Sequence, residues 1–305
     1  MTPGPVEAFA ADVGPAAAGP VVAEGGRTQW SAGVVDPGAV AAARVVRPPA
    51  GVVAVEAADM TVRVRAGTPV AYVDAALAEV GQAVAVPAWP GATVGGVLAV
   101  GHSGLRRLGW GPVRDTVLEV RWVSAEGAVV MAGGPTVKNV SGFDLCRLLV
   151  GSLGTLGLVA EVVLRTRPLP AAERWLAGEA DPFALAARLH RPAAILWDGT
   201  TTWVLLDGHP ADVAAQEAVC DGLAPVAGPP ALPPHRWSLR PSELRALDSE
   251  FVAEVGVGVV HRPTPAPLRP VDPAVATLHA RIKTLFDPEG RLGPGRDPLH
   301  GAGAA

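Results

Sequence analysis

Three stretches of the chain set residues with almost no side chain beside hydroxyl groups: "EGGRTQWSAG" at 24–33, "WPGATVGGVLAVGHSG" at 89–104 and "SGFDLCRLLVGSLGTLGL" at 141–158. A glycine-rich turn can present successive backbone N–H groups as a concave cradle for an anion. Neighbouring Ser and Thr hydroxyls add further donors. One such stretch is as well read as a tight turn. Three of them in this order suit a diphosphate carrying a ring system better than a lone phosphate.

Other phosphate and nucleophile chemistries lack their residues. No Gly-Lys-Ser/Thr follows a glycine loop, so the Walker pattern is missing. "GSLGTLG" (151–157) is spaced G-x-x-G-x-x-G and precedes a strand, and "GVGVVH" (256–261) lacks a third glycine, so neither is a Rossmann fingerprint. Ser103 in "GHSGL" is one position out of frame for a nucleophile elbow. The seven histidines are scattered without an H-x-x-x-H pair, which gives no metal-ligand spacing.

Composition bounds the class. The 305 residues are 49% hydrophobic with 36 glycines and 31 prolines in no fixed period, which describes a loop-rich folded chain of one large or two smaller domains. A formal charge of −4 with no basic block gives no reason to expect nucleic acid. Cys146 and Cys220 stand far apart and no C-x-x-C occurs, so buried free thiols are expected and the chain has no four-Cys iron–sulfur site. The N-terminal stretch has no positive n-region and is broken by Pro and Gly, and no apolar run approaches about 20 residues. A cytoplasmic location is expected, with membrane association only through a partner.

Stepping through the elements, "VVAEGG" (21–26) reads as a strand entering a glycine turn, and a short helix is expected in the first 20 residues. The stretch 51–67 reads as a hairpin in which Val62, Val64 and Ala66 alternate with Arg63 and Arg65. Pro69 starts a helix through Glu79, and 117–134 is a second hairpin turning at Glu126-Gly127. A helix over 142–152 ended by Gly151 and a strand over 159–164 follow. Beyond Pro170 come a helix capped by Asp181, a strand pair (194–208), a second helix (210–223), a proline-rich connection (228–237), one strand over 254–262 and a helix over 273–288. The alternation has no parallel βαβ rhythm, so the fold class expected is α+β, dividing near 170.

In order and wording the chain resembles the FAD-binding domain of the vanillyl-alcohol oxidase / p-cresol methylhydroxylase superfamily, in its glycolate-oxidase branch. The matching runs are "GGRT" (25–28), "RAGTPVAYVDAALAEVGQ" (65–82), "GATVGGVLAVGHSGLRRLGWGPVRDTVL" (91–118), "GGPTVKNVSGFDLCRLLVGSLGTLGLVAEVVLRTRP" (133–168) and "LFDPEGRLGPGR" (285–296). The resemblance implies a two-subdomain, PCMH-type FAD-binding domain over 1–170, a reduced cap domain over 171–280, and a C-terminal helix and tail over 281–305 that return to the first domain. It implies bound FAD, held non-covalently, since no His occupies the turn at 25–28. Carried over by residue, Gly25, Gly26, Arg27 and Thr28 hold the pyrophosphate, and Gly91, Thr93, Gly95 and Gly96 lie along the cofactor. Ser103 and Gly104 sit near the ring or ribitol, and Gly151, Ser152, Gly154, Thr155 and Val159 pass beside it. The physical reason agrees: a Cβ in such loops would hold the flavin away from the N–H donors.

The implied activity is oxidation of glycolate or a related small 2-hydroxy acid, with electrons passed through the flavin to a partner subunit. The implied partners are a larger FAD-linked catalytic subunit and an iron–sulfur subunit. Complete enzymes of the superfamily carry a catalytic His in an H-x-G-D-G-N type motif, which is absent here. His261 with Arg262 is the nearest catalytic candidate, against a plain strand-end reading. His102 and Arg106-Arg107 could touch substrate or be surface, and Trp89, Trp110 and Trp122 are expected in a core or interface. Two alternatives stay open: a non-catalytic assembly subunit that keeps the flavin fold, and a self-contained flavin dehydrogenase for another small alcohol or acid. The short second domain argues against the latter.

Overall fold

Val62 and Val64 alternate with Arg63 and Arg65 in sequence, and in the computed structural model of the chain both valines are fully buried. That is the pattern of a strand with one face on a core. The structure describes residues 3–134, 144–268 and 270–299, so residues 141–143 of the third glycine stretch, Gly142 among them, lie outside it. The described residues divide into two units: unit 1 lies within 1–102, 113–168 and 269–301, and unit 2 within 103–112 and 169–268.

Unit 1 opens with α1 (Pro5–Val13), which buries Val6, Phe9, Ala10 and Val13. β1 (Val21–Ala23) runs straight into the first glycine turn. β2 (Val34–Val35), α2 (Pro37–Ala42) and β3 (Arg44–Val46) follow, with β3 parallel to β1. The Asp36 carboxylate caps α2 by accepting from the N–H groups of Gly38 and Ala39. β4 (Val52–Glu56) and β5 (Thr61–Arg65) form the expected hairpin. α3 (Val70–Ala78) packs Val70, Val73 and Leu77 inward, with Pro69 at the N-cap rather than inside the first turn. After β6 (Gln82–Ala83), the second glycine stretch becomes α4 (Val94–Val100), capped by the Thr93 hydroxyl and ended by Gly101 at φ 76°. α5 (Arg107–Trp110) belongs to unit 2.

The chain re-enters unit 1 with the hairpin β7 (Val117–Val123) and β8 (Val129–Gly133), whose turn places Gly127 at φ 82°. α6 (Leu145–Leu149) is capped by Asp144 and has Val150 at its C-cap, followed by Gly151 in left-handed backbone at φ 86°. β9 (Leu158–Arg165) and β10 (Arg167–Pro168) complete the stretch, β10 pairing with β6. A five-stranded antiparallel sheet in the order β4-β5-β9-β7-β8 results. α3 and α4 cover it with Val70, Val73, Leu77, Val97 and Leu98 against Val62, Val64 and Leu164.

Unit 2 continues with β11 (Ala172–Gly178), α7 (Pro182–Arg188), β12 (Ala194–Trp197), β13 (Thr202–Gly208) and α8 (Pro210–Glu217). β14 (Leu223–Val226), β15 (His235–Ser238), β16 (Val252–Glu254) and β17 (Val259–Arg262) follow. They form one antiparallel sheet in the order β14-β11-β13-β12-β16-β17-β15. Asp181 caps α7 as expected, through the N–H groups of Phe183 and Ala184. The stretch 254–262 is not one strand. Gly256 and Gly258 at φ 81° and 85° fold it into a turn, and β16 pairs back on β17. The alternating Val-Gly pattern mimicked strand periodicity, but glycines free to adopt left-handed backbone reverse the chain there.

Unit 1 is completed from the C-terminal side by α9 (Pro273–Phe286), capped by Asp272, and by β18 (Arg296–Asp297), which pairs antiparallel with β2. Mostly antiparallel sheets with segregated helices make this an α+β fold.

A glycine-walled groove as candidate functional site

The three glycine stretches converge on one groove within unit 1. Its outer part is lined by the turn 25–30 together with Thr93, Gly96, Ala99, Val100, Leu153 and Arg296. Its inner part is more apolar and is lined by Ala66, Gly95, Gly96, Leu149, Gly154 and Val159 among others. Ala23, Gly25, Thr93, Gly96 and Ala99 border both parts.

Backbone hydrogen bonds fix this convergence. Gly95 N–H donates to the Ala66 carbonyl at 2.7 Å and Val94 N–H to that of Thr68 at 2.9 Å, which holds the second stretch on the end of β5. Gly151 and Leu153 donate to the carbonyls of Leu98 and Ala99, which ties the third stretch to α4. Of the five non-glycine residues in left-handed backbone among the described residues, Arg27 at φ 55° and Leu153 at φ 54° line the groove. Such positions persist only where the surroundings hold them, and they concentrate at functional sites.

The outer groove is built for an anion. Gly25, Gly26, Arg27, Thr28 and Gln29 all line it, and among the described residues none of their backbone N–H groups has a protein acceptor. Consecutive turn N–H groups without a protein acceptor can form a nest for an anion. At Gly96, an added Cβ would meet only the Thr93 hydroxyl, at 3.1 Å, so its open side is the groove itself. Glu24, buried at the foot of the turn, pairs with Arg27 and Arg47. The Arg47 hydrogen bond, followed by those of Arg27, holds its carboxyl below the ordinary value of 4.5 against the opposing effect of burial.

Not every glycine serves the groove. A Cβ on Gly26 would overlap the carbonyl oxygen of Gly91, and one on Gly25 the Thr93 hydroxyl. Gly95 is held to glycine by the Ala66 Cβ, at 2.7 Å, so its requirement comes from the core side. Thr155 is buried and spends its hydroxyl on the Ser152 carbonyl at 2.7 Å, while Ser152 Oγ donates to Leu149 at 2.8 Å. Of these two only Ser152 lines the groove. Gly91, Ser103 and Gly104 do not line it, the latter two standing in the segment that joins unit 2.

Trp30, Leu153 and Arg296 line the groove without having been singled out from the sequence. The guanidinium carbons of Arg27 and Arg296 lie 4.9 and 4.3 Å from the Trp30 ring centroid. A Trp two positions after "GGRT" was the available signal. Nothing in the local sequence links it to a residue near the C-terminus.

In unit 2, His261 Nε2 lies 3.0 Å from the buried Glu254 Oε1. Arg262 lies over the Trp237 ring at 4.7 Å and donates to Ser249 Oγ and the Asp248 carbonyl. Arg106 pairs with Asp207 at 2.6 Å and Glu173 at 2.5 Å, and Trp110 Nε1 donates to the same Asp207. His102 Nδ1 lies 3.0 Å from Gln29 Nε2, in unit 1. Trp122 is buried and Trp89 half-buried, both in the unit 1 core. Cys146 and Cys220 are free and buried, and burial pushes the Cys146 thiol up to about 11, which makes it a packing residue. Among the described residues no cluster of metal-ligating groups occurs, and no helix is long and apolar enough to cross a membrane.

Comparison with known proteins agrees with this geometry. Residues 10–133 match the FAD binding domain family. The chain is 39% identical to glycolate oxidase subunit GlcE of Escherichia coli over 42% of its own length and 37% of that protein's. It is 44% identical to a D-lactate dehydrogenase of Archaeoglobus fulgidus over 27% of its own length and 19% of the relative's. The matches thus span well under two thirds of these relatives. An alkyldihydroxyacetonephosphate synthase shares the fold with a TM-score of 0.67 at 15% identity, over 95% of this chain and 73% of the other. The unpaired donors and glycine-walled groove fit the diphosphate and ring system of the cofactor that this family takes. Residues 10–133 thus fall in an FAD-binding domain of PCMH type, and FAD is its cofactor.

Proposed function

We propose that this chain is the FAD-binding subunit of a complex that oxidises glycolate or a related small 2-hydroxy acid. The observation that carries the reading is the row of five unpaired N–H donors in the groove, in a chain whose relatives are named for glycolate oxidation and D-lactate dehydrogenation. The groove residues bind and orient. Gly25–Gln29 receive the diphosphate, and Ala66, Leu149, Gly154 and Val159 offer an apolar wall to a flat ring system. When bound, FAD accepts the two electrons that leave with the hydride of the substrate carbon. The hydroxyl proton needs a base. Within unit 2 we assign that task to His261, whose ring Glu254 orients through Nε2, leaving Nδ1 for the proton.

Electrons then leave through partner subunits, a larger FAD-linked subunit and an iron–sulfur subunit, because this chain has no C-x-x-C ligand set of its own. A cytoplasmic location, with a membrane reached only through those partners, belongs to the same proposal. The second reading is an assembly subunit whose chemistry is done elsewhere. It is favoured by Arg262, whose guanidinium is engaged by Trp237, Ser249 and Asp248 instead of standing ready for a substrate carboxylate.

The test is the visible spectrum of the purified chain under anaerobic conditions. Flavin bands at about 370 and 450 nm that bleach on adding glycolate or D-lactate support catalysis by this chain, and His261→Gln should then slow bleaching without removing flavin. Bands that persist with every 2-hydroxy acid support the assembly reading. A chain that takes up no FAD overturns the first reading.

A further inference from the structure

The geometry points to Arg296 as the cation that neutralises the FAD diphosphate, so that the C-terminal tail of unit 1 is part of the cofactor site. This rests on the FAD assignment and adds a residue from outside the region matched to that family. Arg296 lies on β18, hydrogen-bonded to β2 just beyond the first glycine turn. Its Nη1 donates to the Trp30 carbonyl at 3.1 Å and its guanidinium carbon lies 4.3 Å from the Trp30 ring. It lines the groove beside the row of unpaired N–H groups.

Charge pairing separates Arg296 from the other arginine at this wall. Arg27 has a carboxylate partner, Glu24, which it shares with Arg47, so its charge is partly offset within the turn. Among the described residues no carboxylate lies within ion-pair distance of Arg296, although Arg47, Arg63, Arg106 and Arg121 all have one. Burial pushes its pKa down from the ordinary arginine value. A half-buried guanidinium with no counter-ion carries an unrelieved desolvation cost. A diphosphate at the adjacent nest would relieve it. A guanidinium anchored over the Trp30 ring and to the Trp30 carbonyl is positioned to offer its planar fork to phosphate oxygens, which a point-charge ammonium lacks.

The experiment measures affinities of the flavin-free full chain for FAD and for riboflavin, which lacks phosphate, at two salt concentrations. Arg296→Gln should weaken FAD binding about 10- to 100-fold, the scale of a charge-assisted hydrogen bond. It should leave riboflavin affinity unchanged and flatten the salt dependence of FAD binding. Arg27→Gln should cost far less, since Glu24 already takes that charge. Arg296→Lys, which keeps the charge but not the fork, should recover only part of the loss, and an FAD affinity below wild type with unchanged riboflavin affinity in this variant serves as the test if the Gln variant does not fold. Equal losses for FAD and riboflavin would reduce Arg296 to a structural role and overturn the inference, as would wild-type FAD affinity in Arg296→Gln. A wild-type chain that binds riboflavin no worse than FAD would overturn the FAD assignment as well.

Discussion

Gly26 rests so closely against Gly91 that any side chain on Gly26 would occupy the space of the Gly91 carbonyl oxygen. This contact is where the first and second glycine stretches meet, and it sets the spacing of the groove walls. Gly26→Ala should therefore force the two loops apart. Overpacking of this kind costs about 1–3 kcal/mol, so the melting temperature should drop. Flavin content after purification should drop with it. A variant that melts like the wild type and keeps its flavin would show that the loops can separate without loss.

Gly95 and Gly96 are neighbours with opposite expectations. A Cβ at Gly95 strikes the Ala66 Cβ at 2.7 Å and the Ala66 carbonyl oxygen at 3.0 Å, so Gly95→Ala should destabilise unit 1 by about 1–3 kcal/mol. A Cβ at Gly96 points into the groove and sits on α4, where replacing Gly by Ala favours the helix by about 1 kcal/mol. Gly96→Ala should melt at or above the wild-type temperature yet bind FAD more weakly. Thermal scans of the flavin-free variants, read beside FAD titrations, check this. The idea fails if both substitutions act on stability alone.

Much of this arrangement can be read from the chain itself. Both hairpins of unit 1 follow from period-two alternation, and Asp181 announces α7 because a carboxylate before Pro suits an N-cap. The glycine stretches stand out because left-handed turns and close approaches tolerate few other residues. What is hidden is set by contacts remote in sequence. Arg296 reaches Trp30 only because β18 pairs with β2, and no local pattern encodes that pairing. Residue type also misleads: Thr155 has a hydroxyl fit for a cofactor, but its own turn takes it. The Val-Gly alternation at 255–260 looks like a strand, and only the left-handed backbone of Gly256 and Gly258 reveals the reversal.

Glu24 gives the groove an acid limit. Hydrogen bonds from Arg47 and then Arg27 depress its folded pKa below the ordinary 4.5. A depressed carboxyl contributes stability that is present above its unfolded pKa and disappears as pH falls through the folded one. Melting temperature should thus decline as pH drops below about 4.5, and Glu24→Gln should decline less steeply over the same interval. The same substitution frees Arg27, so at neutral pH the variant should bind FAD at least as tightly as the wild type. Parallel acid limbs for the two proteins would remove Glu24 from the account.

Asp287 connects the tail to the glycine wall. Its buried carboxylate accepts from the N–H groups of Arg291 and Leu292 at 3.0 and 2.8 Å and from Lys283 Nζ. Lys283 also donates to the Thr155 carbonyl at 2.7 Å and to that of Leu292 at 3.1 Å. One carboxylate thereby fixes both the turn that leads to Arg296 and, through Lys283, the third glycine stretch. Asp287→Asn keeps the shape but leaves the ammonium uncompensated and weakens the backbone contacts, at a cost of about 1–3 kcal/mol. Lys283→Met should cost a similar amount by releasing Thr155. Because the two residues act as one unit, the double variant should lose clearly less than the sum of the single losses. FAD affinity should fall in all three while riboflavin affinity falls less, since it is the path to Arg296 that slackens. Additive losses, or equal effects on the two flavins, would break the proposed link between this ion pair and the phosphate end of the groove.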